Sequence, residues 1–374
     1  MFNKDRMIMA VPCMFGLESL VKEELARMDI EVCEVRDGRV FFKGGVKELC
    51  RANLRLRTGE RVFICLAEFE ATTFEQLYQG VKAVNWADVL PKDAAFPVSG
   101  HSLKSQLASI PDCQKIIKKA VVDKLALKYH LTRFPETGVQ YRIEFLIMAN
   151  KVQILLDTSG EGLHKRGYRA LSSDAPLKET LAAALVLFTR WRGRDLFVDP
   201  MCGSGTIAIE AAMIAADIAP GLRRSFSFEK FAFVDKQVLA DERRAAIDMI
   251  RKSDYRIEAS DIDPAMCELA KKNARLAGVE KYINVSCKDV GQVDFEDEYA
   301  TVICNPPYGE RLMSMNDAHR LYTKMGKTFL PHKKWKCYII TANEDFEKYY
   351  GKKADKKRKL YNGMIKCDFY QYFK

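Results

Sequence analysis

Four consecutive residues, Asn305-Pro306-Pro307-Tyr308, carry the most informative chemistry in this chain. An amide oxygen on Asn305 and the backbone carbonyl of Pro306 are two hydrogen-bond acceptors. Proline restricts the loop, so that these acceptors are held rather than searching. Such a pair suits a planar amine whose lone pair is delocalised into a ring. Accepting one hydrogen each, they orient the nitrogen toward an electrophilic carbon and stabilise the positive charge that develops on it. Tyr308 offers a face on which a base turned out of its helix can stack. The plainer alternative is a rigid turn between a strand and a helix.

A second group lies upstream. Asp199-Pro200-Met201-Cys202-Gly203-Ser204-Gly205-Thr206 falls between an apolar strand and a helix, and its glycines let the backbone take positive φ and approach a ligand closely. Gly203-x-Gly205-x-x-Ala208 also fits the looser dinucleotide fingerprint, which keeps a nicotinamide-dependent dehydrogenase open as a rival. Asp261, in Ser260-Asp261-Ile262-Asp263-Pro264, is placed to accept both hydroxyls of a ribose, whereas Asp263 is placed to cap the helix at Pro264. Asp289 follows the next strand and can receive an adenine amino group. Acids at successive strand ends define a crevice. Cys202 and Cys304 flank it, and both read as small buried side chains rather than nucleophiles.

These residues need strands that end together. From Asp195 the chain alternates strands (196–198, 256–260, 283–286, 300–304, 336–341) with helices (207–216, 264–277), which predicts a parallel sheet covered on both faces. Asn362-Gly363 predicts a closing antiparallel hairpin. Residues 217–255 read as a long insertion. The first 44 residues read as strand, helix, strand, strand around the Asp37-Gly38 turn, a small α+β unit. Residues 45–158 mix helices and strands again. Their helix opening at Pro111-Asp112 has Ile116, Ile117, Ala120, Val121 and Leu125 on one face and Lys115, Lys118 and Lys119 on the remainder. That basic face is either solvated surface or a phosphate contact. Two apolar runs around Asn150-Lys151 predict a hairpin. Residues 159–176 read as a linker in which Lys165, Arg166 and Arg169 either hold a phosphate backbone or merely flank a packed Tyr168. A helix over 177–189 follows. The basic run from Lys352 to Lys359 is either solvated surface or a further phosphate contact.

Length and composition bound the rest. A chain of 374 residues, 48% hydrophobic and 29% charged, predicts two or three packed domains and excludes long disorder. No apolar run is long enough to span a bilayer, and the N-terminus lacks a secretion pattern. Eleven cysteines without a C-x-x-C pair argue against a zinc or iron–sulfur site and fit a reducing cytoplasm. A formal net charge of +10 suits a polyanionic partner without requiring one.

Asp199-Pro200-x-Cys202-Gly203-Ser204-Gly205-Thr206 together with Asn305-Pro306-Pro307-Tyr308 resembles the class I S-adenosylmethionine (SAM) dependent methyltransferases acting on amino groups. The runs Gly162-Leu163-His164-Lys165-Arg166-Gly167-Tyr168-Arg169 and Ala175 to Leu185 resemble the bacterial THUMP-containing RNA guanine-N2 methyltransferases, in particular the family that modifies large-subunit ribosomal RNA. The chain ends just after one methyltransferase module and so resembles the single-module form. The resemblance implies a ferredoxin-like unit (1–44), a THUMP domain (45–158), a linker (159–176) and a Rossmann-like methyltransferase domain (177–374). It implies SAM contacts from Thr180, Asp199, Pro200, Cys202, Gly203, Ser204, Gly205, Asp261 and Asp289. Asn305, Pro306 and Tyr308 would hold the base, without a metal. The expected partner is RNA, 23S ribosomal RNA or its precursor first and tRNA second, with no membrane and no obligate protein partner. A non-catalytic ribosomal-RNA-binding protein remains a rival. A DNA methyltransferase is disfavoured because the N-terminal half shows no DNA-reading element.

Overall fold

Strand Met7–Pro12 (β1) buries Met7, Met9, Ala10 and Val11. Helix α1 (Glu18–Arg27) follows, then β2 (Glu31–Arg36) and β3 (Arg39–Gly44), joined at Asp37-Gly38 as expected. The chain continues through α2 (Val46–Arg55), β4 (Phe63–Glu70), α3 (Phe74–Lys82), β5 (Val98–Leu103), α4 (Ile110–Tyr129), β6 (Ile143–Met148) and β7 (Lys151–Asp157). The computed structural model describes residues 2–131, 133–169, 177–252, 254–295, 299–307 and 314–373. It divides into two units. One comprises Met1–Cys13, Val21–Leu163 and Ser225–Ala245, and the other Met14–Leu20, His164–Arg224 and Ala246–Lys374.

The first unit is built on one seven-stranded sheet in the order β2-β3-β1-β4-β7-β6-β5. All its pairs are antiparallel except β5 with β6. The divide expected at residue 44 does not interrupt this sheet, because β1 pairs with β3 on one edge and with β4 on the other: Met9 faces both Phe42 and Ile64. The β6–β7 turn centres on Ala149 and Asn150, with φ of +49° and +66°, one residue earlier than the sequence suggests. Two left-handed residues match the twist of a tight hairpin, and Met148 then pairs with Lys151. Helix α4 buries Cys113, Ile117, Ala120, Val121 and Leu125.

Part of the insertion joins this same unit. Phe226, Phe228 and Phe231 are buried; Phe231 stacks on Tyr141 at 4.3 Å, and the Tyr141 hydroxyl accepts the Ala232 N–H at 2.8 Å. Arg51 grips Glu242 through two hydrogen bonds of 2.9 and 3.0 Å.

The second unit holds α5 (Glu179–Thr189), β8 (Leu196–Asp199), α6 (Thr206–Ala215), β9 (Ile257–Asp261), α8 (Pro264–Ala277), β10 (Ile283–Cys287), β11 (Ala300–Cys304), α9 (Met315–Phe329), β12 (Trp335–Thr341), α10 (Phe346–Tyr350), β13 (Lys356–Asn362) and β14 (Ile365–Tyr372), while α7 (Lys236–Asp248) begins in the first unit. Its sheet runs β10-β9-β8-β11-β12-β14-β13. The first five strands are parallel, and β14 lies antiparallel between β12 and β13. Strand order reverses at β8, which pairs with β9 on one side and β11 on the other. Loops leaving those strands therefore diverge and open a crevice at their carboxyl ends. Val198, Val302, Cys304, Tyr322, Met325 and Ile339 belong to the core beneath it. Among the described residues, no helix is long and apolar enough to cross a membrane.

Candidate active site

The crevice is a cavity of about 690 Å³ in the second unit, lined by Pro200, Met201, Cys202, Gly203 and Ser204 from the β8–α6 loop, Asp261, Ile262 and Asp263 from the end of β9, Asp289 and Val290 after β10, and Asn305, Pro306 and Pro307 after β11. Residues from four strand ends thus meet at one place. Leu177, Thr206, Ile207, Met266, Leu321, Asn362 and Ile365 complete the wall.

The glycines have separate tasks. Gly203 has φ of +50°, and a Cβ built there would meet nothing within 4 Å, so its backbone faces open space. Gly205 caps α6 at φ +83°, and a Cβ there would lie 3.0 Å from the Cβ of Ala270, so the helix pair needs its small size. Asn273 fastens the loop by donating to the Ser204 carbonyl at 3.0 Å.

Asp261 organises this loop as well as facing the cavity. Its Oδ2 accepts the Gly203 N–H at 2.9 Å and its Oδ1 the Asp263 N–H at 3.0 Å. A carboxylate has about four acceptor positions, so capacity remains for a ligand hydroxyl. Asp263 caps α8 by accepting the Ala265 N–H at 2.8 Å. Asp289 accepts from Gly291 and from Lys324. Partial burial works against its charge, but these two donors hold its carboxyl below the usual carboxylate range.

Asn305 shows the most telling feature. Its Oδ1 is buried and, among the described residues, meets no hydrogen-bond partner. A buried acceptor left unpaired costs about 1–3 kcal/mol, so a ligand N–H donated to this oxygen would be favoured. Tyr308 lies outside the described residues.

Asp199 ends β8 fully buried and does not line the cavity. Among the described residues neither of its oxygens has a partner at hydrogen-bonding geometry, although the amides of Met201 and Ala208 favour its charge. Burial foremost, then the Asp261 charge, pushes its carboxyl from 3.8 up to about 8. The folded chain thus keeps a proton that the unfolded chain gives up in mild acid. Stability from this group is complete below the unfolded value and is lost as pH rises toward the folded one. Asp199→Asn should remove that slope, so the melting temperature of the variant relative to the parent should climb between about pH 5 and pH 8. A difference independent of pH would refute the assignment.

Burial foremost raises the thiols of Cys202 and Cys304 far above their ordinary value, leaving no thiolate for nucleophilic attack. Thr180 is fully buried in α5 and does not line the cavity. Leu177, Met266, Val290, Leu321 and Ile365, which complete the wall, were not singled out as site residues by sequence. Ile262 between two aspartates is the one local signal that could have found part of this wall.

The basic candidates divide. Lys115, Lys119 and Lys165 are exposed, whereas Lys118 donates to Glu136 at 2.6 Å and to the Phe96 carbonyl at 3.1 Å. Arg166 needs correction as an RNA contact. Its side chain is 2% exposed and pairs at 3.4 Å with Glu210, which also accepts from the Tyr168 hydroxyl at 3.1 Å. A cation so buried serves the interior. Arg169 likewise turns inward, to the Leu177 carbonyl, the Thr206 hydroxyl and Glu179. Arg166→Ala would leave Glu210 a buried charge without this partner. It should cost about 3–5 kcal/mol, read as a lower melting temperature at unchanged RNA affinity of the folded protein.

An acceptor-rich end at Asp261, apolar side chains at Ile262, Met266 and Val290, and an open glycine backbone fit the ribose, adenine and methionine parts of SAM. Among the described residues, no cluster of side chains is arranged to hold a metal. Fold and site together define a class I methyltransferase that uses SAM. The chain belongs to the family of RMKL-like methyltransferase domains, matched over residues 166–371. Residues 9–63 match the RlmL ferredoxin-like domain and residues 71–157 the THUMP domain. The ferredoxin-like match runs beyond residue 44, in keeping with the shared sheet.

The chain is 45% identical over 364 residues, 96% of its length and 94% of the relative's, to the putative RNA methyltransferase YpsC of Bacillus subtilis. It resembles the crystal structure of a predicted N6-adenine-specific DNA methylase from Listeria monocytogenes, with TM-score 0.94 and 45% identity over 98% of this chain and 96% of that one. A putative methyltransferase complexed with SAH superposes with TM-score 0.94 and 40% identity, covering 99% of each chain.

Proposed function

We propose that this SAM-dependent methyltransferase acts on RNA, and that it methylates the exocyclic N2 amine of a guanine in 23S ribosomal RNA in the cytoplasm. The observation that carries the amine is the buried Asn305 oxygen at the cavity wall, which meets no hydrogen-bond partner among the described residues. The THUMP and RlmL ferredoxin-like matches support RNA and the ribosomal choice. SAM supplies an electrophilic methyl group when bound.

In this reading the target amine donates one hydrogen to Asn305 Oδ1 and one to the Pro306 carbonyl. The nitrogen lone pair is thereby directed into the cavity, and the charge it acquires is stabilised by the same two oxygens. No base must act first, since the proton is acidic once the nitrogen is cationic. Tyr308 provides a stacking surface for the extruded base. Thr180, Asp199, Pro200, Cys202, Gly203, Ser204, Gly205, Asp261 and Asp289 form the cofactor set, directly or by supporting the loop. Lys115, Lys119 and Lys165 are the RNA contacts that exposure allows.

The test is transfer of labelled methyl from SAM to unmodified large-subunit ribosomal RNA, bulk tRNA and DNA in parallel, with identification of the labelled nucleoside. Label in N2-methylguanosine from ribosomal RNA is expected. The same nucleoside from tRNA would move the substrate to the second choice. Methyladenine in DNA, the activity in the name of the Listeria protein, would overturn the reading, as would absence of SAM binding.

A further inference from the structure

The hairpin of β13 and β14 has a tip that neither folding nor cofactor binding explains. Its two strands pair from Lys356 with Gln371 to Asn362 with Ile365, leaving a two-residue loop of Gly363 and Met364. Gly363 takes φ of +63°, whereas Met364 is not among the positive-φ residues. That alternation is the signature of a hairpin turn that demands glycine at its first position and makes no demand for an apolar side chain at its second. Yet position 364 carries a methionine that is 97% exposed, flanked by Tyr361 and Ile365 at 37% and 50%. Single exposed apolar residues are ordinary, but Met364 and the adjoining Ile365, whose face of the hairpin carries the cavity-lining Asn362, form an apolar tip that asks for a partner.

The place of the tip gives that partner. Asn362 and Ile365, the residues on either side of the loop, line the same cavity as Asn305 and Pro306. Tyr361 is paired across the hairpin with Lys366, and Lys359 with Asp368. β13 is an edge strand, and it carries Lys356, Lys357, Arg358 and Lys359 in succession. Two of these cations are engaged within the unit: Lys357 pairs with Glu347, and Arg358 lies over the Phe188 ring at 4.4 Å. Lys356, Lys359 and Lys366 remain exposed. An apolar tip at the rim of an amine-accepting cavity, on a cationic edge, matches a folded nucleic-acid strand. The cations suit phosphates, and the tip suits the gap that opens when a base leaves its stack.

We propose that Met364, supported by Ile365, is a wedge that fills the position vacated by the target nucleotide and so holds that nucleotide extruded toward Asn305. Met364 acts on the base-opening equilibrium and touches neither the cofactor nor the reacting amine. The inference rests on RNA being the substrate as set out above.

The test compares wild type, Met364→Ala and Met364→Leu on folded large-subunit ribosomal RNA, with SAH affinity and melting temperature measured alongside. Loss of stacking compensation predicts that the alanine variant turns over about tenfold more slowly, with most activity restored by leucine. SAH affinity and melting temperature should not move, because the side chain is exposed and does not line the cavity. The defect should shrink to about twofold or less on a fragment in which the mapped target base is left unpaired. Full activity of the alanine variant on folded RNA would overturn the wedge alone, as would an equal defect on paired and unpaired targets or a loss of SAH binding. Failure of the wild type to bind or methylate RNA would overturn the substrate reading and the wedge with it.

Discussion

Asn305→Ala is expected to lower methyl transfer by about 10²–10³-fold while SAH affinity changes little. The Asn305 oxygen is buried and meets no hydrogen-bond partner among the described residues, so its removal breaks no hydrogen bond to them. What is lost is an acceptor whose value grows as the target nitrogen becomes cationic. Such an interaction is stronger in the transition state than in the ground state, so its removal should appear in kcat rather than in the affinity for either substrate. Single-turnover transfer of labelled methyl, with calorimetric titration of SAH into the same preparations, separates the two effects. Transfer within about tenfold of the parent would show that the amide does not orient the amine. A large loss of SAH affinity would instead place Asn305 in the cofactor set.

Asp261→Ala is expected to weaken SAM and SAH binding by about two orders of magnitude and to slow turnover only as far as saturation fails. Two effects act together. The ligand loses a charged acceptor, worth about 1.5–3 kcal/mol. The Gly203 N–H also loses the partner that holds it at 2.9 Å, so the glycine loop must be ordered anew on each binding event. Asp261→Asn retains one acceptor oxygen and should fall between the parent and the alanine variant. Equal affinity of parent and alanine variant for SAH, measured by calorimetry, would remove Asp261 from the site.

Much of this site is legible in the sequence because each part is a local device. A carboxylate after an apolar strand, a glycine pair before a helix and an Asn-Pro-Pro turn each have a meaning set by their immediate neighbours. The alternation of strands and helices then requires that successive strand ends lie on one edge of a parallel sheet. Helix α8, opening at Pro264 under the Asp263 cap and closing at Gly278, is found where its caps predict it. Charge is less legible. Lys165, Arg166 and Arg169 look alike in the linker, yet the first is exposed and Arg166 is sealed against Glu210, because burial depends on what the second unit packs around each side chain.

The sequence by itself therefore determined the class of fold, the strand-end acids, the glycine loop and the Asn-Pro-Pro loop after β11, all of which arise from short-range propensity and spacing. Only the tertiary structure decided three further matters. Asp199 is fully buried, and that burial together with the Asp261 charge pushes its carboxyl up to about 8, because desolvation is a property of the surroundings rather than of the residue. Residues 225–245 fold with the N-terminal unit, and Phe226, Phe228 and Phe231 are buried there. The β13–β14 hairpin reaches the cavity from the far end of the chain, because β14 enters the sheet antiparallel beside β12, a pairing between strands that no local pattern specifies.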